Sequence, residues 1–445
     1  MKALQSIWTI QSLQSLETNQ CSTSLGRVDQ YLYPYFQRDI ECGRITAQDA
    51  FELFSCFMLK CSEVIWYTPS ATAKYFVGYM PFINMCANGI KRHGGDSVNE
   101  LTYLIMDAVR QIKLYQPTLA CRIHNLSPRK YLNKIADVIA AGTGMPACHF
   151  DDAHIKMMLR KGYSYEDACD YCLMGCVEEQ RSGRVHQWTS GGFTQWPICI
   201  DMALHGGVLN SYGDRVWLDS GGTSSFKTYE DFEAAVKRQL DYLIDVNCRG
   251  TVIIEKVFRD VSPTPFMSLF VDGYMEKGRD VMDGGAVLYA YQIHRTLSQS
   301  FNTPLGEMVG ATPDGRAAYA PLSDGMSPSQ GMDRNGPTAI IKSVSKINVE
   351  NMSLGMAHNF KLSPQFIATE EGRNAVIALL STASLLGNAQ MQFNCVDNAE
   401  LRAAQKKLEE HRDLIVRVAG YSAFFVELCK EVQDEIISRT TIDRN

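Results

Sequence analysis

The stretch RVAGYSAFFVELCKEVQDEIISRT, residues Arg417 to Thr440, sets an apolar segment interrupted by Gly420 in front of a helical pattern. From Ala423 onward Phe425, Leu428, Val432 and Ile436 recur at spacings of three and four, with Lys430, Glu431 and Asp434 off that stripe. The pattern predicts an amphipathic helix, and Ser422 is placed to cap it. Gly420 then has two readings. Either it supplies a positive φ for a turn ahead of the helix, or the chemistry at that position requires a residue without a side chain. The second reading needs a chemical partner elsewhere in the chain.

Working outward, Ala399 to His411 and Arg373 to Leu386 read as helices, and Thr303 to Gly331 is dense in Gly, Pro, Ser and Asp, which marks a loop region and a domain boundary. Nearer the N-terminus, Arg44 to Cys61 places Ala50, Leu53, Phe54, Phe57 and Met58 on one side of a helix. Asn99 to Ile112 and Pro128 to Ala141 repeat that spacing. Between the helices, Tyr75 to Met85 suits buried strands with loops at their ends, and Gly250 to Ile254 is a further candidate core strand. This order predicts an α/β architecture, with strands lining an interior and helices around them.

The chain has 445 residues, 45% of them hydrophobic, enough to bury one large core or two ordinary ones. A net charge of -6, spread along the sequence, points away from a nucleic-acid surface or a polybasic membrane patch. No apolar run is long enough to span a bilayer, and no secretory signal opens the sequence, so the cytoplasm is the expected location. In that compartment the 14 cysteines are expected to be reduced, most of them as small core residues. Cys169, Cys172 and Cys176 crowd three thiols into eight residues, yet no fourth ligand lies close by, and the C-x2-C-x3-C order reverses the spacing usual for radical enzymes that bind an iron–sulfur cluster. No metal is expected.

Gly175-Cys176-Val177-Glu178 holds the chemical partner. If the segment is extended, the Cys176 thiol and the Glu178 carboxylate project to the same side. A carboxylate disfavours a thiolate, which argues against ordinary nucleophilic cysteine catalysis. A thiyl radical carries no such objection: it abstracts hydrogen from carbon uncharged, while the carboxylate takes a hydroxyl proton from the same substrate. Such a radical must be stored, and a planar radical at an α-carbon, delocalised over both flanking peptide groups, suits glycine best.

GCVE and RVAGYSAFFVEL, in this order and with the second close to the end, resemble the glycyl radical enzymes, the pyruvate formate-lyase superfamily. The resemblance implies that Gly420 is the modified residue that stores the radical, Cys176 the thiyl position and Glu178 the general base. It implies part of a ten-stranded α/β barrel over residues 1–310, enclosing two opposed loops, with a C-terminal glycine radical domain over 311–445. It implies no bound cofactor, a radical installed by an S-adenosylmethionine-dependent activating enzyme as partner, and a homodimer. Localisation in a bacterial microcompartment is an alternative to the open cytoplasm.

Within the superfamily, DYCLMGCVEEQRSGRVHQWTSGGFTQWPICI, HFDDAHIKMMLRKG and GPTAIIKSVSK resemble the choline trimethylamine-lyases. A choline pocket would then include Phe82 and Thr189, with Phe193 where the family carries a tyrosine. Trp188 and Trp196 are expected as scaffold, and His149, His154 and His186 as structural residues. Glu179 departs from the family's GCVEP and is expected to set a second carboxylate beside the base. Family members are close to twice as long, an N-terminal part and a segment after Ala286 are missing, and the ending after SRT differs. The chain alone is therefore expected to be inactive, or active only with the missing part supplied in trans. The alternatives are a glycyl radical dehydratase acting on a diol or related alcohol, and a noncatalytic fragment or spare radical domain.

Overall fold

The computed structural model describes residues 2–18, 22–65, 70–75, 77, 81–183, 196–209, 217–260, 302–349 and 355–443. They fall into two compact units, one within 1–188 and 323–445, the other within 189–296 and 301–322. The strands described, all in the first unit, are β1 (Ser24–Arg27), β2 (Asn84–Asn88), β3 (Thr118–Ile123), β4 (Ala147–Phe150), β5 (Tyr171–Met174), β6 (Glu178–Arg181), β7 (Asn359–Leu362), β8 (Gln390–Cys395), β9 (Ile415–Arg417), β10 (Ser422–Phe424) and β11 (Thr441–Ile442). Seven form one sheet in the order β1-β2-β3-β4-β8-β7-β11. Its pairs are parallel except at the seam, where β4 meets β8 antiparallel through Cys148 opposite Met391 and His149 opposite Gln390. The other four strands make two antiparallel hairpins, β5–β6 and β9–β10.

Residue alternation explains how the sheet is used. Met85, Ala87, Leu119, Cys121, Ile123, Cys148, Phe150, Phe360, Leu362, Met391, Phe393 and Cys395 share one hydrophobic core with Phe54, Phe57, Ile105, Val109, Ile135, Val138, Val376 and Leu380 of the covering helices. Most intervening positions, Asn84, Asn88, Arg122, His149, Asn359, Lys361, Gln390, Gln392 and Asn394, are polar and also buried, with Cys86 and Ala120 as apolar exceptions. A buried polar group left unpaired costs about 1–3 kcal/mol, so this second face must find partners. Asn84, Arg122, Gln392 and Asn394 find them in the two hairpins, while Lys361 donates to Asn398 and to the carbonyls of Ile436 and Ile437, and Asn88 bonds Ser97 and the Arg122 carbonyl.

The helices follow their sequence signals. Ala47–Ser62 starts at a capping box of Thr46 and Asp49, and Glu100–Ile112 at one of Asn99 and Thr102. Arg129–Ile139, Glu370–Leu385 and Asn398–Lys406 stand where the periodicity placed them. In the second unit, Ile198, Cys199, Met202, Leu209, Val309 and Leu322 form a core against Val236, Leu240 and Leu243 of helix Tyr229–Asp260. No helix among the described residues is long and apolar enough to cross a membrane.

Four local expectations are corrected. Gly250 to Ile254 lies inside helix Tyr229–Asp260 and is no strand; a five-residue apolar run has no periodicity to separate the two, and the flanking helix decides. Ser422 is no N-cap: it begins β10, its Oγ donates to Thr143 O at 2.8 Å, and the last helix starts only at Lys430. The Phe425, Leu428, Val432, Ile436 stripe is buried as expected, but its first members lie in a 3₁₀ turn and extended chain. Gly420 does not adopt a positive φ, so the positive-φ reading of this glycine fails, although it stands in the tip between β9 and β10.

Candidate active site

Each hairpin presents its tip to the other. In β5–β6 the tip is Gly175-Cys176-Val177, a turn and not the extended segment the spacing assumed. Gly175 holds φ +59°, which favours glycine, and a Cβ there would crowd Glu178 Oε2 at 3.1 Å and Ser22 Oγ at 3.3 Å. The turn brings Cys176 and Glu178 together by another route. The Glu178 carboxylate folds back over the tip and accepts from the backbone N–H groups of Cys176 and Val177, both at 2.9 Å.

In β9–β10 the tip is Val418 to Tyr421, closed by a bond from Val418 N to Tyr421 O at 2.9 Å. A Cβ built on Gly420 would fall inside the van der Waals envelope of Cys176 Cβ and Sγ, and within 2.8 Å of its Cα. The glycine is therefore required by contact with the thiol-bearing residue, which is the second of its two readings. Cys176 is 8% exposed and Glu178 3%, so the contact is sealed within the fold.

The sheet's polar face holds both hairpins in place. Under β5–β6, Asn84 Nδ2 donates to Gly175 O, and Ser24 Oγ donates to Leu173 O at 2.7 Å. Arg122 donates to the carbonyls of Tyr171 and Cys169, both at 2.9 Å, while Asp151 balances its charge at 2.8 Å and accepts from Tyr171 OH. Under β9–β10, Asn394 bonds both Arg417 N and Arg417 O at 2.6 Å, and Gln392 donates to Ala419 O. Arg439 reaches the Arg417 and Val418 carbonyls from helix Lys430–Ser438, anchored by Glu435.

Burial pushes the Glu178 carboxyl up to about 7; the N–H groups of Val177, Glu178 and Cys176 oppose the shift, and the charge of Glu179 adds to it. Glu179 itself does not stand beside the base. As the next residue in β6 it projects the other way, to Lys161 Nζ at 2.6 Å and His154 Nδ1 at 3.3 Å. Burial raises the Glu179 carboxyl, but Lys161 and His154 outweigh it and keep the pKa below the usual value. His154 also meets His149 Nδ1 at 3.1 Å and stacks on Tyr171, so both histidines brace the hairpin. His186 lies outside the described residues.

Phe82 is buried beside the Gly420 tip, its ring edge-on to Tyr421 at 5.1 Å between centroids. Its φ of 54° is unusual for a bulky residue and costs about 1–3 kcal/mol unless its surroundings impose it. Thr189, Phe193 and Trp188, and the side chain of Trp196, lie outside the described residues. Missing from the sequence reading were Asn84, Arg122, Gln392 and Asn394. The alternation in NMCAN, TLACRI and QMQFNC signals them only to a reader who knows that both sheet faces are buried.

A thiol and a main-chain glycine carbon are in contact, with a buried carboxylate on the same turn. In comparisons with known proteins, residues 1–298 match the family described as pyruvate formate lyase-like and residues 322–426 the glycine radical family, and the chain belongs to the pyruvate formate-lyase-like family, the glycyl radical enzymes. It is 30% identical to an isethionate sulfite-lyase of Bilophila wadsworthia, over 100% of this chain and 65% of the relative. It is 27% identical to a (2S)-3-sulfopropanediol dehydratase of Klebsiella oxytoca, over 99% and 65%. A solved structure described by 1,2-propanediol dehydration in Roseburia inulinivorans superposes with a TM-score of 0.91 at 29% identity, covering 99% of this chain and 67% of that one. The chain thus spans just under two thirds of the length of these curated relatives.

Proposed function

We propose that this chain is a glycyl radical lyase that eliminates a leaving group from the carbon next to an alcohol, with a diol or related alcohol as substrate. The choline reading is displaced as first choice, because the relatives named above are described by dehydration and sulfite elimination. Their substrates share a carbinol with a departing hydroxyl or sulfite on the neighbouring carbon. The observation that carries the proposal is the contact between Gly420 and Cys176, with Glu178 bonded into the same turn.

The steps follow from these groups. A radical on Gly420 takes hydrogen from the Cys176 thiol, and the resulting thiyl takes hydrogen from the carbinol carbon, forming S–H and leaving the radical on carbon. Glu178 accepts the hydroxyl proton, which makes that carbon radical a stronger electron donor. The leaving group departs from the next carbon with its electron pair, as water when Glu178 returns the proton or as sulfite without it. The radical, now beside a carbonyl, recovers hydrogen from Cys176 and the thiyl is regenerated. A base near pH 7 suits a group that both takes and returns a proton.

In this reading Gly420 is the residue modified to a radical, installed by a radical S-adenosylmethionine enzyme, and Phe82 walls the substrate space beside the Gly420 tip. Thr189 and Phe193 are further candidates for substrate contact. The test is anaerobic activation of the purified chain with such an enzyme, then electron paramagnetic resonance and a panel of 1,2-propanediol, dihydroxypropanesulfonate, isethionate and choline. A doublet with aldehyde from a diol is the expected result. Trimethylamine from choline alone would restore that substrate, and a doublet without turnover would support the expectation that the chain needs a complementing segment. No doublet would overturn the reading.

A further inference from the structure

Among the buried arginines of the first unit, one lacks a counterion. Arg27 pairs with Asp170, Arg122 with Asp151 and Arg439 with Glu435, each within 2.9 Å. Arg417 is as deeply buried as Arg122, yet no carboxylate lies within ion-pairing distance among the described residues, and its Nη1 has no hydrogen-bond partner. Leaving a buried guanidinium unpaired costs several kcal/mol, so its placement calls for a compensating role.

Two neutral oxygens receive its charge. Nε donates to Gln392 Oε1 at 2.9 Å, and Nη2 donates to the carbonyl of Gly420 at 2.8 Å. Its backbone is clamped by Asn394, and Gly144, at φ +71°, leaves it room: a Cβ on Gly144 would come within 2.6 Å of Arg417 Cβ. Burial lowers the guanidinium pKa, while the nearby Cys176 and Cys148 thiols draw it back up, and it stays charged at neutral pH.

From this geometry we infer that Arg417 is a positioning residue that sets where the unpaired electron rests, through its charged hydrogen bond to the Gly420 carbonyl. The exchange in question moves one hydrogen atom: the Gly420 Cα–H bond breaks and the Cys176 S–H bond forms, or the reverse. When the electron is on Gly420 Cα it delocalises into the adjacent carbonyl, and negative charge accumulates on that oxygen. A preorganised cation there stabilises the glycyl side of the exchange and leaves the thiyl side with no equivalent gain.

This inference rests on Gly420 being the radical residue. The unsubstituted chain, R417K and R417Q are activated anaerobically and followed by electron paramagnetic resonance, with melting temperatures of the unactivated proteins recorded in parallel. In R417Q the radical is expected to decay about tenfold faster, the scale of a lost hydrogen bond to a charged group, and the doublet to widen as spin returns to Cα. Packing damage alone would not move the splitting. R417K keeps the charge but not the planar fork, so its lifetime is expected to fall between those of R417Q and the unsubstituted chain, which tests the inference even if R417Q fails to fold. Unchanged lifetime and splitting in R417Q, or tenfold faster decay in an R417K that melts normally, would overturn it. Absence of a doublet in the unsubstituted chain would remove the radical reading itself, and this inference with it.

Discussion

The hairpin carrying Cys176 and the hairpin carrying Gly420 dock on the same polar sheet face by different chemistry. Beneath the Cys176 hairpin sits a neutralised ion pair, Arg122 with Asp151, whose spare donors hold two carbonyls. Directly beneath the Gly420 hairpin lie the neutral amides Gln392 and Asn394, with positive charge added from the hairpin itself at Arg417 and from the last helix at Arg439. The difference teaches that the two tips face different electrical conditions. The residues that dock the Cys176 hairpin carry balanced charge and burial pushes the Glu178 carboxyl up to about 7, while the glycine carbonyl sits under an unbalanced cation.

Breaking the contact between the tips gives the largest effect. Gly420→Ala drives a methyl group into Cys176 and is expected to abolish both doublet and turnover. Glu178→Gln separates the two hairpins' roles: the doublet should survive because Gly420 and Cys176 are untouched, while turnover falls by about 10³, within the range for a general base. The same carboxyl predicts a pH profile. Its pKa is raised, so turnover should climb as pH rises through about 7. Stability runs the opposite way: the neutral form's contribution is complete below the ordinary carboxyl value of 4.5 and is lost as pH rises through about 7, which a series of melting curves would register.

Two docking substitutions sharpen the contrast. Arg122→Ala strands the buried Asp151 carboxylate and is expected to cost about 3–5 kcal/mol in denaturant unfolding. Asn394→Ala removes amide bonds without stranding a charge and is expected to cost about 1–3 kcal/mol. Equal costs for the two would contradict the distinction between the hairpins.

The residues proposed to react stand out in the sequence because the identities such chemistry needs are constrained. A cysteine two residues from a glutamate, and a glycine inside an apolar segment, are readable wherever they stand. Their docking residues are not. Gln392 and Asn394 alternate with Met391 and Phe393 as in a half-exposed strand, and only the packing of distant hairpins shows that both faces are covered. The same limit explains Gly250 to Ile254 and Ser422, where a short local signal was overridden by the elements around it. Glu179 was misplaced because the alternation that sends it away from Glu178 depends on β6 being a strand, which the sequence of the tip does not reveal.

The seam of the sheet has a mechanical consequence. Among the described residues, the parallel strands that seat the Cys176 hairpin and those that seat the Gly420 hairpin are joined within the sheet only where β4 meets β8, at two registered pairs and the bond from Phe150 N to Ala389 O at 2.9 Å. The gap between the tips thus depends in part on that joint, beside direct ties such as Ser422 to Thr143 and Tyr421 to Tyr75. Slippage of one residue would displace one half against the other by about 3.4 Å, more than a hydrogen atom can bridge between atoms that now touch. Mutations at His149, Met391 or Gln390, none of which needs to touch substrate, would act on the chemistry as misalignment does in a pair of gears.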